Sequence, residues 1–343
     1  SNMNTIGAIL TLLGSLGLFL YGMTLMSEAL QKVAGEKLRS FLAAMTSNSF
    51  KRIFTGFLIT AIIQSSSATT VMVVSFVNAG LLSLTQSVGV IMGANIGTTC
   101  TAWLISLLGF KADISVIAIP VIGFGFALMM FKSKKKKSWG ELLIGFALLF
   151  LGLTFLKNSV PDLQNSPEVL EFLKNWTSYG IGSVLIFTLI GTILTIVLQS
   201  SSATMALTLV MCNNGWIPFE MGAAMVLGEN IGTTITANIA ASVANVSARR
   251  AALGHSVFNL FGVLWAIILY KPFLILVSKI IVAIGCDNPL EAGASGTSIL
   301  YGISMLHTLF NVINTLVLVW FTNQIVKLVT KAIPQKESGE VFR

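Results

Sequence analysis

The stretch Gln-Ser-Ser-Ser-Ala-Thr at residues 64–69 recurs letter for letter at residues 199–204, an offset of 135 residues. A second stretch, Gly-Ala-Asn-Ile-Gly-Thr-Thr at residues 93–99, recurs at the same offset as Gly-Glu-Asn-Ile-Gly-Thr-Thr at residues 228–234. Two independent motifs that preserve one spacing indicate an internal duplication, which must be recognised before any single element is interpreted.

The duplication divides the chain into segments. We predict a first repeat at 1–131, a basic cytoplasmic linker at 132–138, a second repeat at 139–285, an extra C-terminal span at 286–330 and a cytoplasmic tail at 331–343.

Composition places these segments in a membrane. Of the 343 residues, 55% are hydrophobic and 10% are charged, a balance that a water-soluble domain of this length could not keep in solution. The long apolar runs approach the ~20 residues that a helix needs to cross the hydrocarbon layer. The sequence therefore predicts an all-α, polytopic membrane protein with no soluble domain.

The charged residues set the orientation. Residues 27–52 carry five basic and two acidic side chains, whereas the corresponding residues 157–178 carry two basic and three acidic ones. Because loops facing the cytoplasm are enriched in Lys and Arg, the first stretch should lie inside and the second outside. We predict inverted-topology repeats in the inner membrane, with the N-terminus outside and the C-terminus in the cytoplasm. The net charge of +8 is explained by these loops, so no nucleic-acid partner is expected.

Both hexamers lie in the middle of segments of unusual length. Residues 53–80 are too long for one span and too short for two, and residues 180–213 repeat this arrangement. Irregular backbone at membrane depth is tolerated only where it is buried in protein or lines a watery cavity. Two re-entrant helical hairpins, with tips at 64–69 and 199–204, fit this pattern.

The second motif lies within a single apolar run in each half, and its Asn and Gly residues predict broken transmembrane helices at 93–99 and 228–234. The half-helix after each break would expose free N–H groups, which bind anions. Carbonyl, Asn and Thr oxygens at the break are suitable ligands for Na⁺.

The predicted core contains no Lys or Arg, and its one charged residue is Glu229, beside the second Asn-Ile-Gly-Thr-Thr stretch. A polyvalent anion bound there would lack a fixed positive charge, and burying an uncompensated charge is costly. The charge pattern therefore favours an anion that moves together with cations, without naming the anion.

The doubled Gln-Ser-Ser-Ser motif, each copy followed by Gly-x-Asn-Ile-Gly-Thr-Thr about 30 residues later, resembles the type II Na⁺/phosphate cotransporter family over nearly the whole chain. The resemblance implies a secondary active transporter that couples Na⁺ to inorganic phosphate by alternating access, with no cofactor other than Na⁺ as the co-transported ion. The implied phosphate site is Gln64, Ser65, Ser66, Ser67, Asn95, Gln199, Ser200, Ser201, Ser202 and Asn230. The predicted Na⁺ ligands are Ser67, Thr69, Asn95, Thr98, Thr99, Ser202, Thr204, Glu229, Asn230, Thr233 and Thr234.

One departure from the family's pattern concerns Glu229, which stands where animal members have a small residue. Three consequences stay open: an added cation site, proton coupling, or a changed stoichiometry. Two alternatives to the transporter stay open: an anion channel, and a carrier of another oxyanion with Na⁺ or H⁺ coupling. An enzyme is not expected, because the sequence shows no metal-ligand cluster, phosphate-binding Gly-rich loop or Ser-His-Asp set. Expected partners are inorganic phosphate, sodium ions and the bilayer, and a homodimer is the candidate assembly.

Overall fold

The computed structural model describes residues 2–159, 171, 175, 177 and 180–335. This part of the chain is helical and contains no β-strand, as the all-α prediction requires. The first five helices are α1 (Asn2–Ala44), α2 (Ser49–Ile63), α3 (Ser66–Asn78), α4 (Leu84–Leu104) and α5 (Ala118–Met129). The next eight are α6 (Lys134–Ser159), α7 (Ile181–Leu198), α8 (Ser201–Asn213), α9 (Phe219–Ala241), α10 (Val246–Ile268), α11 (Tyr270–Ala283), α12 (Gly296–Leu318) and α13 (Thr322–Ala332). A π-helical segment, Ile105–Lys111, continues α4.

Six helical segments of the described chain are long and apolar enough to cross a membrane. They are Met3–Ala44, Leu84–Lys111, Lys134–Ser159, Ile181–Leu198, Val246–Ile268 and Gly296–Ala332. On α7, the apolar side chains of Leu185, Leu189, Ile193 and Val197 form an exposed stripe at four-residue spacing. Such a stripe suits contact with lipid. The chain is a multi-pass membrane protein.

The two halves repeat their internal packing as well as their sequence. Helix α2 packs along α4, and α7 packs along α9. Gly93 on α4 lies so close to Ile53 that an added Cβ would overlap the Ile53 carbonyl oxygen, and Gly228 has the same relation to Thr188 on α7. Both residues of the second pair lie 135 positions after those of the first. The close helix contacts therefore follow the same offset as the motifs.

The predicted helix breaks at 93–99 and 228–234 are wrong: α4 and α9 run through both stretches without interruption. A Cβ added at Gly97 would lie 2.7 Å from Thr60 Cβ, and one at Gly232 would lie 2.7 Å from Thr195 Cβ. These glycines let α2 pack closely against α4, and α7 against α9, and they do not interrupt the helices that carry them.

The threonines of this motif bond to their own helix. Thr98 and Thr99 donate to the carbonyl oxygens of Ala94 and Ile96, at 3.0 and 2.7 Å. Thr233 and Thr234 donate in the same way to the carbonyl oxygens of Glu229 and Ile231, at 2.9 and 2.8 Å. Such bonds within one helix are common for Thr in membrane spans. An uninterrupted helix leaves no N-terminus at either motif to receive an anion.

Four helices form the centre of the molecule, because α10 and α12 each contact both α4 and α9. Helix α1 packs along α6, where the hydroxyl groups of Ser15 and Ser159 lie 3.1 Å apart. Helix α6 begins at Lys134, inside the predicted linker. Residues 336–343 of the predicted tail, and most of 160–179, lie outside the described residues.

Candidate functional site

Each hexamer forms a tight turn between two helices. Gln64 ends α2 with φ 56° and ψ 32°, and Gln199 ends α7 with φ 52° and ψ 32°. This left-handed conformation is uncommon for a residue that carries a Cβ. It reverses the chain sharply enough for α3 and α8 to begin two residues later, at Ser66 and Ser201. We call these turns, residues 64–66 and 199–201, the two tips.

A serine caps the new helix at each tip. The hydroxyl of Ser65 accepts a hydrogen bond from the Ala68 N–H at 3.1 Å, and the hydroxyl of Ser200 accepts one from the Ala203 N–H at 3.2 Å. The first turn of a helix carries other N–H groups without partners in the helix, together with the positive end of the dipole. The helix N-termini that the sequence predicted at the second motif therefore lie at the first motif.

Both tips line one cavity of about 390 Å³, which we call the tip cavity. The residues of the first hexamer in its wall are Gln64, Ser65, Ser66 and Ser67, and those of the second are Gln199, Ser200, Ser201 and Ser202. Eight of the predicted phosphate-site residues thus lie together although the two groups are 135 positions apart in sequence.

Helix α1 closes one side of the tip cavity, which the sequence did not predict. Thr24, Ser27, Glu28 and Gln31 contribute polar side chains there. Among the described residues that line the cavity, Glu28 is the one charged side chain. The polar spacing 24, 27, 28 and 31 on α1 could have pointed to this face, and residues 20–24 have a weaker counterpart in residues 150–154 on α6, at an offset of 130.

A second cavity, of about 420 Å³, lies between α3 and α9 on another side of the tips. Ser67 and Gln199 line both cavities, and Thr233 and Thr236 line only the second. Thr233 is therefore close to the tips, whereas Thr98, Thr99 and Thr234 line neither cavity.

The predicted ligands Thr69 and Thr204 lie just behind the tips and are fully buried. The Thr69 hydroxyl accepts a hydrogen bond from Thr60 at 2.8 Å, and Thr195 donates to Thr204 at 3.0 Å. These equivalent pairs tie each helix that enters a tip to the helix that leaves it.

The predicted ligands Asn95, Asn230 and Glu229 lie in the buried centre, outside the walls of both cavities. Asn95 Oδ1 lies 3.1 Å from His255 Nε2, and Asn95 Nδ2 donates to Asn259 Oδ1 at 3.3 Å. By contrast, Asn230 Nδ2 and Glu229 Oε2 have no hydrogen-bond partner within the described chain.

Sequence reasoning also missed Thr101, whose hydroxyl donates to Gln64 Oε1 at 3.0 Å and so links α4 to the first tip. The equivalent residue of the second half, Thr236, lines the second cavity together with Gln199. The signal was present, because the duplicated motif continues as Thr-Thr-x-Thr in both halves.

Comparison with known proteins bears on this arrangement. The sequence profile of the Na⁺/Pi-cotransporter family matches residues 18–158 and 167–308, and so includes both tips and the helices that pack against them. The chain belongs to this family. No solved structure matches it.

Relatives of the family resemble the chain over different lengths. The uncharacterized protein YqeW of Bacillus subtilis is 31% identical over 93% of this chain and 96% of its own length. A putative inorganic phosphate export protein, YjbB of Salmonella typhimurium, is 30% identical over 74% of this chain and 45% of its own length. Human sodium-dependent phosphate transport protein 2B is 37% identical over 30% of this chain and 15% of its own length.

Proposed function

We propose that this protein is a secondary active transporter that couples Na⁺ to the movement of inorganic phosphate by alternating access. The observation that supports it most is the meeting of two duplicated serine-rich tips at one cavity. Phosphate accepts hydrogen bonds, and each tip offers serine hydroxyls, a glutamine amide and the N-terminus of a helix. Gln64, Ser65, Ser66 and Ser67, with their equivalents in the second half, are the proposed phosphate ligands.

The coupling to Na⁺ is inferred from the charge of the tip cavity. The described lining of the tip cavity contains no Lys or Arg, and Glu28 adds a negative charge. A divalent oxyanion bound there needs mobile cations beside it, because an uncompensated charge at membrane depth is costly. This need favours co-binding of Na⁺ and disfavours an anion channel, which would move the anion without a coupled ion.

The oxygen atoms around the tips and on the centre side of α4 and α9 are the proposed Na⁺ ligands. These are Ser67, Thr69, Asn95, Thr98 and Thr99 in the first half and Ser202, Thr204, Glu229, Asn230, Thr233 and Thr234 in the second. The structure gives least support to Thr98, Thr99 and Thr234 as ligands, since their hydroxyl groups bond within their own helices and line neither cavity.

Alternating access is supported by the two cavities that share Ser67 and Gln199. We propose that the tips separate these cavities as re-entrant hairpins and that rearrangement of the hairpins exposes the bound phosphate to one side and then the other. The two halves would face opposite directions in the inner membrane, with the N-terminus outside. Labelling of single cysteines at the two chain ends tests the orientation, and cross-linking in membranes tests the proposed homodimer.

Phosphate uptake into proteoliposomes tests the function. With an inward Na⁺ gradient we expect saturable uptake that falls to background when K⁺ replaces Na⁺. Equal uptake under K⁺ would exclude Na⁺ coupling, and uptake driven by a proton gradient alone would favour H⁺ coupling. Competition by arsenate or sulfate would measure selectivity among oxyanions.

The variants Ser66→Ala and Ser201→Ala locate the site. Each should weaken phosphate binding on the order of tenfold or more, because a hydrogen bond to a charged group contributes roughly 1.5–3 kcal/mol. Ser278→Ala is the matched control, since Ser278 is buried on α11 and lines neither cavity. Unchanged affinity in both tip variants would remove the tips from the phosphate site.

A further inference from the structure

A small polar pocket of about 210 Å³ lies at the end of α8 that is remote from the tip. Its polar lining consists of Ser106, Lys111, Lys157, Asn213, Thr297 and Tyr301. We call it the lysine pocket. Helix α8 leads from the second tip at Ser201 to Asn213, and twelve residues of helix span roughly 18 Å. The lysine pocket is therefore separate from the tip cavity, with which it shares none of its described lining residues.

Lys157, near the end of α6, is partly buried and points its ammonium group into a fixed environment. Its Nζ donates to the Gly109 carbonyl oxygen at 2.6 Å and lies 4.8 Å from the centre of the Phe110 ring. An ammonium group has three N–H donors, so two remain for a ligand. The position of the ammonium group is set by these contacts before any ligand arrives.

Lys111 supplies a second positive charge to the same pocket. Its Nζ lies 5.9 Å from the centre of the Tyr301 ring. In the described parts of the chain the one ion pair within 4.0 Å joins Lys32 to Glu141, so neither pocket lysine is in direct contact with a carboxylate of those parts. Asp113 is near enough to act on Lys157 electrostatically, but the described lining of the pocket contains no Asp or Glu.

The remaining polar groups complement these charges. Thr297 and Tyr301 bring hydroxyl donors and Asn213 brings an amide, whereas the Ser106 hydroxyl already pairs with that of Ser304 at 2.8 Å. Two ammonium groups surrounded by neutral donors form an arrangement that recognises a small, doubly charged oxyanion, because charge-assisted hydrogen bonds are the strongest that such an anion can make. A monovalent halide would use the charges but few of the hydroxyl and amide donors.

We propose that the lysine pocket is a second binding site for inorganic phosphate, separate from the tips. The identity of the anion rests on the proposed function. Here the protein itself supplies the positive charge that the tip cavity lacks, so binding in this pocket needs no Na⁺. The pocket would concentrate phosphate at this end of the molecule, at a distance from the site where it is exchanged with cations.

Phosphate binding in Na⁺-free buffer tests the proposal, with the purified full-length chain, radiolabelled inorganic phosphate and equilibrium dialysis. We expect the wild-type protein to bind phosphate without Na⁺, and the double variant Lys111→Gln/Lys157→Gln to lose on the order of tenfold or more in affinity. Lys327→Gln/Lys331→Gln on α13 removes the same charge elsewhere and should bind like the wild type. Lys157→Arg, which keeps the charge, should restore part of the affinity.

Because Lys157 also donates a hydrogen bond to Gly109, its replacement could destabilise the fold, so thermal unfolding of each variant is recorded. If the double variant is unstable, the single variant Lys111→Gln replaces it in the binding measurement. Absence of Na⁺-free binding in the wild type, or equal binding in the pocket and α13 variants, overturns the proposal even if Na⁺-driven uptake is normal. Na⁺-free binding that depends on the two lysines, in a protein without Na⁺-driven uptake, would instead support the pocket and exclude the proposed transport. The two hypotheses therefore fail separately.

Discussion

The centre of the molecule contains two copies of the same polar group, and they differ. In the first copy, Asn95 on α4 contacts His255 and Asn259 on α10. The second copy consists of Asn230 on α9, 135 positions after Asn95, and of His307 and Asn311 on α12, 52 positions after His255 and Asn259. Helix α12 packs against α9. Yet Asn230 Nδ2, both ring nitrogens of His307 and Asn311 Oδ1 lack partners within the described chain.

The two copies also differ at two further positions, which are apolar in the first copy and polar in the second. Ala94 and Val263 are buried apolar residues in the first copy, and their equivalents in the second are Glu229 and Thr315, which are buried with Oε2 and Oγ1 unpaired. Buried polar groups without partners are costly, whereas satisfied networks make a core rigid. The comparison indicates that duplication kept the packing of the two halves alike but gave them different polar interiors. Within the described chain the first copy leaves one of these side-chain atoms unpaired, His255 Nδ1, whereas the second copy leaves several that a ligand could pair with.

The largest effect is expected where the two halves agree. Gly97→Leu and Gly232→Leu would each drive a side chain into Thr60 or Thr195 and should destabilise the fold by about 3 kcal/mol or more. Thermal unfolding in detergent measures the loss. Gly14→Leu is the control, because an added Cβ there meets nothing within 4 Å. A large loss in one half only would contradict the equivalence of their packing.

The next effect should differ between halves. Asn95→Ala leaves His255 and Asn259 buried without their partner and should cost about 2–3 kcal/mol. Asn230→Ala removes an amide whose Nδ2 is already unpaired, so its cost in Na⁺-free buffer should be under about 1 kcal/mol. Equal losses of thermal stability would show that Asn230 is hydrogen-bonded in solution as Asn95 is. They would contradict the difference between the two copies.

A smaller effect of opposite sign is expected at Glu229. In Na⁺-free buffer Glu229→Gln should stabilise the fold by about 1 kcal/mol, since a neutral amide avoids the cost of burying or neutralising a carboxylate. The stabilisation that added Na⁺ gives should also shrink, because a proposed cation ligand is lost. Ala94→Gln, the equivalent site, should destabilise by crowding a packed position. Titration of the unfolding temperature with Na⁺ measures both effects.

The smallest effect concerns the threonines beside the tips. Thr101→Val breaks the hydrogen bond to Gln64 and should cost about 1 kcal/mol. Thr236→Val loses only a bond to the Thr233 carbonyl of its own helix, at 2.8 Å, and should cost less. Unfolding curves of the two variants, recorded side by side, would show whether the first tip is held more firmly than the second.

Much of the fold around the tips could be predicted from the sequence because its motifs are duplicated. The repeated hexamer predicted equivalent positions in the two halves, since a shared offset implies related folds, and both copies form turns that line one cavity. The roles of these serines as ligands stay predictions. The family membership inferred from the paired motifs is confirmed by the profile match.

The prediction failed where one residue type serves two purposes. Gly97 and Gly232 suggested broken helices, but a glycine that allows close packing and a glycine that ends a helix look alike in sequence, and only the partner helix distinguishes them. The contribution of α1 to the tip cavity was missed because the likeness of residues 20–24 to residues 150–154 is weak and its offset of 130 differs from that of the two motifs. The different polar interiors of the halves could not be predicted either, because hydrogen bonding depends on side-chain positions that the motif does not encode.

The left-handed glutamines at the tips have a consequence for directed evolution. Glycine would adopt the backbone of Gln64 or Gln199 without the cost that a Cβ imposes, although at Gln64 the lost contact with Thr101 offsets part of the gain. A screen that rewards only heat tolerance would therefore accept glycine at position 199 more readily than at position 64. It would enrich variants that are more stable to heat but have lost an amide from the tip cavity. Selection for thermal stability and selection for transport rate would therefore favour different residues at position 199.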